Sequence, residues 1–183
     1  MATNARLCNR STASDIDPAG RLRHLSPLFV AAIAGVVGLA SPAQAEDQIV
    51  KLVSGSSGKC LQPIKGSLMR GDAIVQETCN GGAAQQWTVH SVSSTKVHLI
   101  NGLSHLCLDA RGKAVNGTPI QQWPCNWISN ENWSFGLSNN LLSSGISNTF
   151  SHCVATPGVQ DGLAMALRFC DGDPAQVWNR PNG

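Results

Sequence analysis

The sequence predicts an all-β protein built from three pseudo-symmetric four-strand units, with one disulfide in each. Three observations predict it. Cysteine, glycine and tryptophan recur three times at fixed offsets. Charge is sparse, while Gly, Ser and Asn are plentiful between short apolar runs. No stretch of ten residues carries the apolar period of an amphipathic helix.

The chain opens with a segment that stands apart from this pattern. Arg21, Arg23 and His24 precede the apolar run Leu28 to Ala40, and Ser41-Pro42-Ala43-Gln44-Ala45 follows with small residues where an exporting peptidase reads. Residues 1–45 therefore read as a secretory signal peptide cleaved after Ala45, and residues 46–183 as one mature domain. The alternative is a membrane anchor, but the apolar run is short for a span. Secretion, or export to a periplasm, is the expectation. Without Arg6, Arg10, Arg21, Arg23, Asp15 and Asp17 the mature chain keeps nine basic and nine acidic residues. Such a balanced surface argues against nucleic acid or an anionic membrane as partner, and no membrane insertion is expected.

Setting Cys8 aside with the signal leaves Cys60, Cys79, Cys107, Cys125, Cys153 and Cys170. An even count in an exported chain reads as a disulfide framework. A zinc cluster or a nucleophilic thiol is the competing reading, but no C-x-x-C occurs and no Cys/His pair has metal-ligand spacing. No metal and no cofactor is expected.

The repeat orders the rest. The first cysteine of each unit opens an apolar pair, Cys60-Leu61, Cys107-Leu108 and Cys153-Val154. The second is followed eight residues later by tryptophan, giving Trp87, Trp133 and Trp178. Eight residues before it stands Gly71, Gly117 or Gly162, and between glycine and cysteine Ile74, Ile120 and Met165 fall on one face. Pairing within units follows: Cys60–Cys79, Cys107–Cys125 and Cys153–Cys170. Each closure of a loop of this length contributes about 3 kcal/mol.

Strands are expected in the first unit near 50–53, 59–62, 73–78 and 86–90. In the second they fall near 97–100, 105–109, 119–124 and 132–135, and in the third near 141–143, 152–155, 164–169 and 176–179. One unit cannot bury its apolar face alone, but three around a pseudo-threefold axis can. Trp87, Trp133 and Trp178 hold equivalent places and are expected in the core.

These residues resemble the ricin B-type lectin family. Gln85-Gln86-Trp87 and Gln176-Val177-Trp178 match its Q-x-W motif, and Glu131-Asn132-Trp133 departs from it at one position. The resemblance covers nearly all of residues 46–183 and implies a β-trefoil that binds carbohydrate. It also implies what a competent unit contains: an aspartate two residues after the first cysteine, a Q-x-W run ending two residues before the second, and an asparagine before the closing Q-x-W. The second unit has Asp109, Gln121-Gln122-Trp123 and Asn130.

The chemistry is coherent apart from the family. An indole covers the C–H face of a sugar ring. A carboxylate accepts two adjacent hydroxyl protons in charge-assisted bonds, and an amide offers a donor and an acceptor. A galactose-type axial hydroxyl leaves one broad C–H patch suited to stacking. Asp109, Trp123 and Asn130 are therefore expected to contact the sugar, with Gln121 lining the pocket. The bland alternatives are a turn aspartate and a core tryptophan. Glu131 stands where the resemblance places a glutamine that braces the aspartate. If it points the same way, two carboxylates face each other, at least one pKa rises, and a shared proton would make affinity increase as pH falls. Otherwise it turns to solvent or pairs with Arg111 or Lys113.

In the first unit Gln62 and Glu77, and in the third Ala155 and Arg168, replace the aspartate and the platform, so both read as structural copies. Trp127 is unassigned: it extends the platform for a second sugar, or it caps its loop. Catalysis has little support, because His90, His98, His105 and His152 look scattered and no nucleophile or metalloprotease motif appears. Asp109 and Glu131 only mimic a glycosidase pair. The leading expectation is a free lectin for a galactose-type glycan. The alternatives are the cell-binding subunit of a secreted toxin, whose partner would be a separate polypeptide, and a protein-interaction module with a vestigial pocket.

Overall fold

The computed structural model describes residues 47–136, 142–145 and 151–181. The signal segment, Cys8 and Leu141 lie outside the described residues. Among the described residues thirteen strands form, and the only helical pieces are three-residue 3-10 turns. The first unit contributes β1 (Gln48–Lys51), β2 (Val53–Ser54), β3 (Cys60–Pro63), β4 (Ile74–Glu77) and β5 (Gln86–Ser91). The second contributes β6 (Val97–Asn101), β7 (Cys107–Ala110), β8 (Ile120–Trp123) and β9 (Trp133–Phe135). The third contributes β10 (Leu142–Ser144), β11 (His152–Ala155), β12 (Ala166–Phe169) and β13 (Trp178–Asn179).

Pairing follows the threefold plan of a β-trefoil. The outer strands run β1–β5–β6–β9–β10, each antiparallel to the next, and β13 pairs with β2 to join the last unit to the first. The inner strands form three hairpins, β3–β4, β7–β8 and β11–β12. The hairpins interlock cyclically. Gly71 N–H donates to Gln122 O, Gly117 N–H to Leu167 O, and Gly162 N–H to Gln76 O. These three glycines have φ of 86°, 88° and 77°, a left-handed conformation that L side chains disfavour, which explains why glycine recurs there.

The core sits on the axis. Ile74, Ile120 and Met165 are buried, as are Leu61, Leu108 and Val154. Each of the three repeat tryptophans is fully buried and spends its indole N–H the same way. Trp87 donates to Leu61 O (3.0 Å), Trp133 to Leu108 O (2.9 Å) and Trp178 to Val154 O (3.0 Å). The disulfides run Cys60–Cys79, Cys107–Cys125 and Cys153–Cys170, one within each unit.

Two strand expectations need correction. The first strand, expected over 50–53, is split at Leu52, because β1 pairs with β5 while β2 turns to β13 and β3. The strand expected from His105 begins at Cys107, since His105 has φ of 58° and cannot continue a strand.

Candidate functional site

The second unit brings its predicted residues together around β7 and β8. The antiparallel register sets Asp109 opposite Gln121. Gln121 Nε2 donates to Asp109 Oδ1 at 2.7 Å. Asp109 is only 3% exposed, and burial is the main cause that pushes its carboxyl above the ordinary aspartate value. The Gln121 bond opposes this, and the charge of Glu131 adds to it. The second oxygen, Oδ2, has no hydrogen-bond partner among the described residues. Trp123 ends β8 and is half-buried. A loop of the first unit flanks it: the Arg70 guanidinium lies 5.7 Å from the ring centroid, and a Cβ on Gly71 would sit 3.6 Å from the ring. That loop is held by Gln122, whose Nε2 donates to Ser67 O and Met69 O. The first two residues of the Gln121-Gln122-Trp123 run thus act on opposite sides of the strand, one toward Asp109 and one toward the neighbouring unit.

Asn130 is placed beside the aspartate's strand but is used differently from the expectation. Its Nδ2 donates to Ala110 O (2.8 Å) and Gly112 O (3.2 Å), so its donor is spent in fixing the loop after Asp109. Its Oδ1 remains as an acceptor, touched by Ser129 Oγ at 3.4 Å.

Glu131 is buried, so the alternative that it turns to solvent or pairs with Arg111 or Lys113 does not hold. It accepts the Asn126 N–H at 3.0 Å on both oxygens and the Trp127 N–H at 2.7 Å on Oε2. Its counterpart Gln85 accepts the Asn80 and Gly81 N–H groups on Oε1, and its Nε2 donates to Gln62 Oε1 at 2.8 Å and Thr78 O at 3.0 Å. Gln176 likewise accepts from Asp171 N and donates to Phe169 O. An ionised glutamate reproduces the accepting half of this role and not the donating half. Both its oxygens meet backbone donors. As expected of neighbouring carboxylates, one pKa rises: the charge of Glu131 adds to the upward shift of Asp109 that burial causes.

The equivalent positions elsewhere lack the parts. Gln62 and Ala155 are buried where Asp109 stands, and Glu77 and Arg168 replace the platform. The histidines, by contrast, are not all scattered. In the β5–β6 ladder His90 lies directly opposite His98, and the Trp127 ring rests 5.5 Å and 4.8 Å from their ring centroids. Sequence reasoning missed this cluster, because only the register of the β5–β6 hairpin brings His90 and His98 together. Among the described residues no group of three or more His, Cys, Asp or Glu is gathered to hold a metal ion. No helix among them is long and apolar enough to cross a membrane.

Residues 48–178 match the ricin-type beta-trefoil lectin domain. The ribosome-inactivating protein PMRIPt of Polygonatum multiflorum is 33% identical over 76 residues, which is 41% of this chain and 12% of that protein's length. In three dimensions, 1,3Gal43A, an exo-beta-1,3-galactanase from Clostridium thermocellum, is similar with a TM-score of 0.67 and 26% identity, over 76% of this chain and 31% of that one. The earthworm R-type lectin C-half, solved in complex with GalNAc, is similar with a TM-score of 0.60 and 16% identity, over 74% of this chain and 99% of that one.

Proposed function

This chain belongs to the ricin-type β-trefoil lectin domain family, and from that premise we propose that it is a secreted lectin whose second unit binds a galactose-type sugar. The observation that carries the reading is the contrast among units. Only the second sets a buried carboxylate, braced by Gln121, beside a half-exposed indole. Asp109 would accept two adjacent hydroxyl protons and Trp123 would stack on the C–H face. Asn130 Oδ1 would accept one further hydroxyl. The GalNAc complex of the earthworm lectin supports the galactose-type choice, since that relative shares the fold. Export after cleavage at Ala45 belongs to the same proposal, and no catalytic role is proposed.

A single shallow site should be weak, with Kd roughly 0.1–1 mM. Titration calorimetry with methyl β-galactoside should therefore find one site per chain. Trp123→Ala should abolish binding and Trp123→Phe should restore part of it, whereas Glu77→Ala and Arg168→Ala should leave affinity unchanged. Three comparable sites, or full binding by Trp123→Ala, would sink the reading. The likeness to PMRIPt supports a second possibility, a cell-binding subunit of a toxin, which predicts co-purification with a separate chain.

A pH dependence follows from Asp109. Its carboxyl titrates above the ordinary aspartate value, chiefly through burial. Hydroxyl donors need the ionised form. As pH falls through the raised value, affinity should fall, and at a higher pH than an ordinary aspartate would cause. Glu131→Gln removes a like charge and supplies an N–H directed as that of Gln85 is toward Gln62. The acid loss of affinity should then shift to lower pH. Affinities measured from pH 4 to 8 decide it; an unmoved midpoint in Glu131→Gln contradicts the coupling.

A further inference from the structure

Trp127 carries a cost that its two counterparts avoid. It stands two residues after the second cysteine of its unit, where the first unit has Gly81 and the third Gly172. All three positions are left-handed, with φ of 61°, 73° and 85°. Glycine adopts this conformation freely, but a bulky L-residue does not. More than half of Trp127 is exposed (56%), although one side of its ring packs on His90 and His98. What holds the turn is Glu131, whose carboxylate takes the Trp127 N–H at 2.7 Å and also the Asn126 N–H. The two departures of the second unit, glutamate for glutamine and tryptophan for glycine, are thus one device: a charged acceptor steadies a strained turn that displays an indole. Strain kept at an exposed aromatic residue points to a ligand.

The surroundings say which kind. The ring is bordered by His90 and His98. His90 Nδ1 is tied to Asp47 at 3.0 Å, which leaves its Nε2 unbonded among the described residues. His98 Nε2 is engaged by Asn132 Oδ1, and its Nδ1 is buried without a hydrogen-bond partner. An aromatic face edged by the unbonded His90 Nε2 suits a sugar ring, whose C–H face stacks and whose hydroxyls donate. An apolar ligand would leave that nitrogen unmet. Asn130 and Glu131, consecutive residues, link the patch to the Asp109 strand: one donates to Ala110 O and the other accepts the Trp127 N–H.

We propose that Trp127, with His90 and His98, forms a second saccharide subsite that takes an inner sugar of a galactose-terminated oligosaccharide. This rests on the reading of Asp109 and Trp123 as the terminal-galactose pocket. The test is calorimetry on the full mature chain with methyl β-galactoside and with lacto-N-neotetraose, a galactose-terminated tetrasaccharide. The wild type should bind the tetrasaccharide roughly fivefold or more tightly than the monosaccharide, as one added stacking contact implies. Trp127→Gly should bind both with the monosaccharide affinity of the wild type and melt no lower than it, because glycine suits the turn. Trp127→Phe should recover most of the preference. A wild type without preference, or a preference that survives Trp127→Gly, overturns the subsite while leaving the galactose pocket standing. Failure to bind either sugar overturns both. Loss of binding to phosphatidylcholine vesicles in Trp127→Gly, with sugar affinities unmoved, assigns the ring to a lipid surface and also overturns the proposal.

Discussion

Asp109→Asn should eliminate galactoside binding and yet leave the protein as stable at neutral pH as the wild type, or more so. The two halves have one cause. Asp109 is held almost out of water, with one hydrogen bond from Gln121 and the charge of Glu131 nearby. Burial raises its folded pKa above the unfolded value. A carboxyl with a raised folded pKa binds its proton more tightly in the folded state. Its ionised form therefore destabilises the fold at every pH above that raised value, and the penalty is relieved as pH falls through it. Asparagine has the same shape, carries no charge, and still offers an oxygen to Gln121 Nε2. It cannot accept two hydroxyl protons in charge-assisted bonds, and losing one or two such bonds should cost roughly 100-fold in affinity. From a starting Kd near 1 mM, that is no binding in calorimetry. Melting curves from pH 4 to 8 give the second half: the wild type should gain stability on mild acidification relative to Asp109→Asn. Asp109→Ala separates charge from shape, since it strands the Gln121 donor and should melt lower. An Asp109→Asn protein that keeps wild-type affinity, or melts well below the wild type at neutral pH, contradicts the account.

The same residues show how far the sequence can be read. The fold was legible because the determinants are few and repeated. A tryptophan eight residues after each second cysteine and a glycine eight before it mark, in every unit, a core position and a left-handed turn. Asp109 and Gln121 were assigned to one pocket from the sequence, but their direct pairing was not read there, because it is set by the register of the β7–β8 hairpin. The splitting of the first strand at Leu52 was not, because it depends on β13 arriving from the far end of the chain. Asn130 was placed correctly but its donor was misassigned. Its amide serves the carbonyls of Ala110 and Gly112, whose direction is set by a loop conformation that residue types do not specify. The His90–His98 pair has no helical, strand or metal-ligand spacing, and only the register of the β5–β6 hairpin makes neighbours of them. Trp127 was visible in principle, as the one large residue in a set otherwise made of Gly81 and Gly172. Its meaning needed the backbone angle.

Trp133→Ala should produce the largest loss of stability, and the way the protein melts should show how the three units depend on one another. The ring is fully buried in the core shared by all units, and its Nε1 donates to Leu108 O at 2.9 Å. Truncating a buried tryptophan costs about 3–5 kcal/mol, and the stranded Leu108 carbonyl adds about 1–3 kcal/mol. At roughly 3–5 °C per kcal/mol for a domain of this size, the melting point should fall by about 12–40 °C. Trp133→Phe keeps most of the apolar surface and loses the N–H, so it should cost about 1–3 kcal/mol. Trp87→Phe and Trp178→Phe should cost nearly the same, because each indole donates to the same carbonyl of its own unit at 3.0 Å. Trp123→Ala should cost far less, its ring being only half-buried. The disulfides stay within units and so do not bind one unit to another. The units are joined instead by the β5–β6, β9–β10 and β13–β2 pairings, by the cyclic hydrogen bonds of Gly71, Gly117 and Gly162, and by the common core. A unit that loses its tryptophan therefore loses the surface on which both others pack. Scanning calorimetry of Trp133→Ala should show a single transition, displaced as a whole to lower temperature. Two transitions, with one near the wild-type position, would mean that a unit or a pair of units stands without the third.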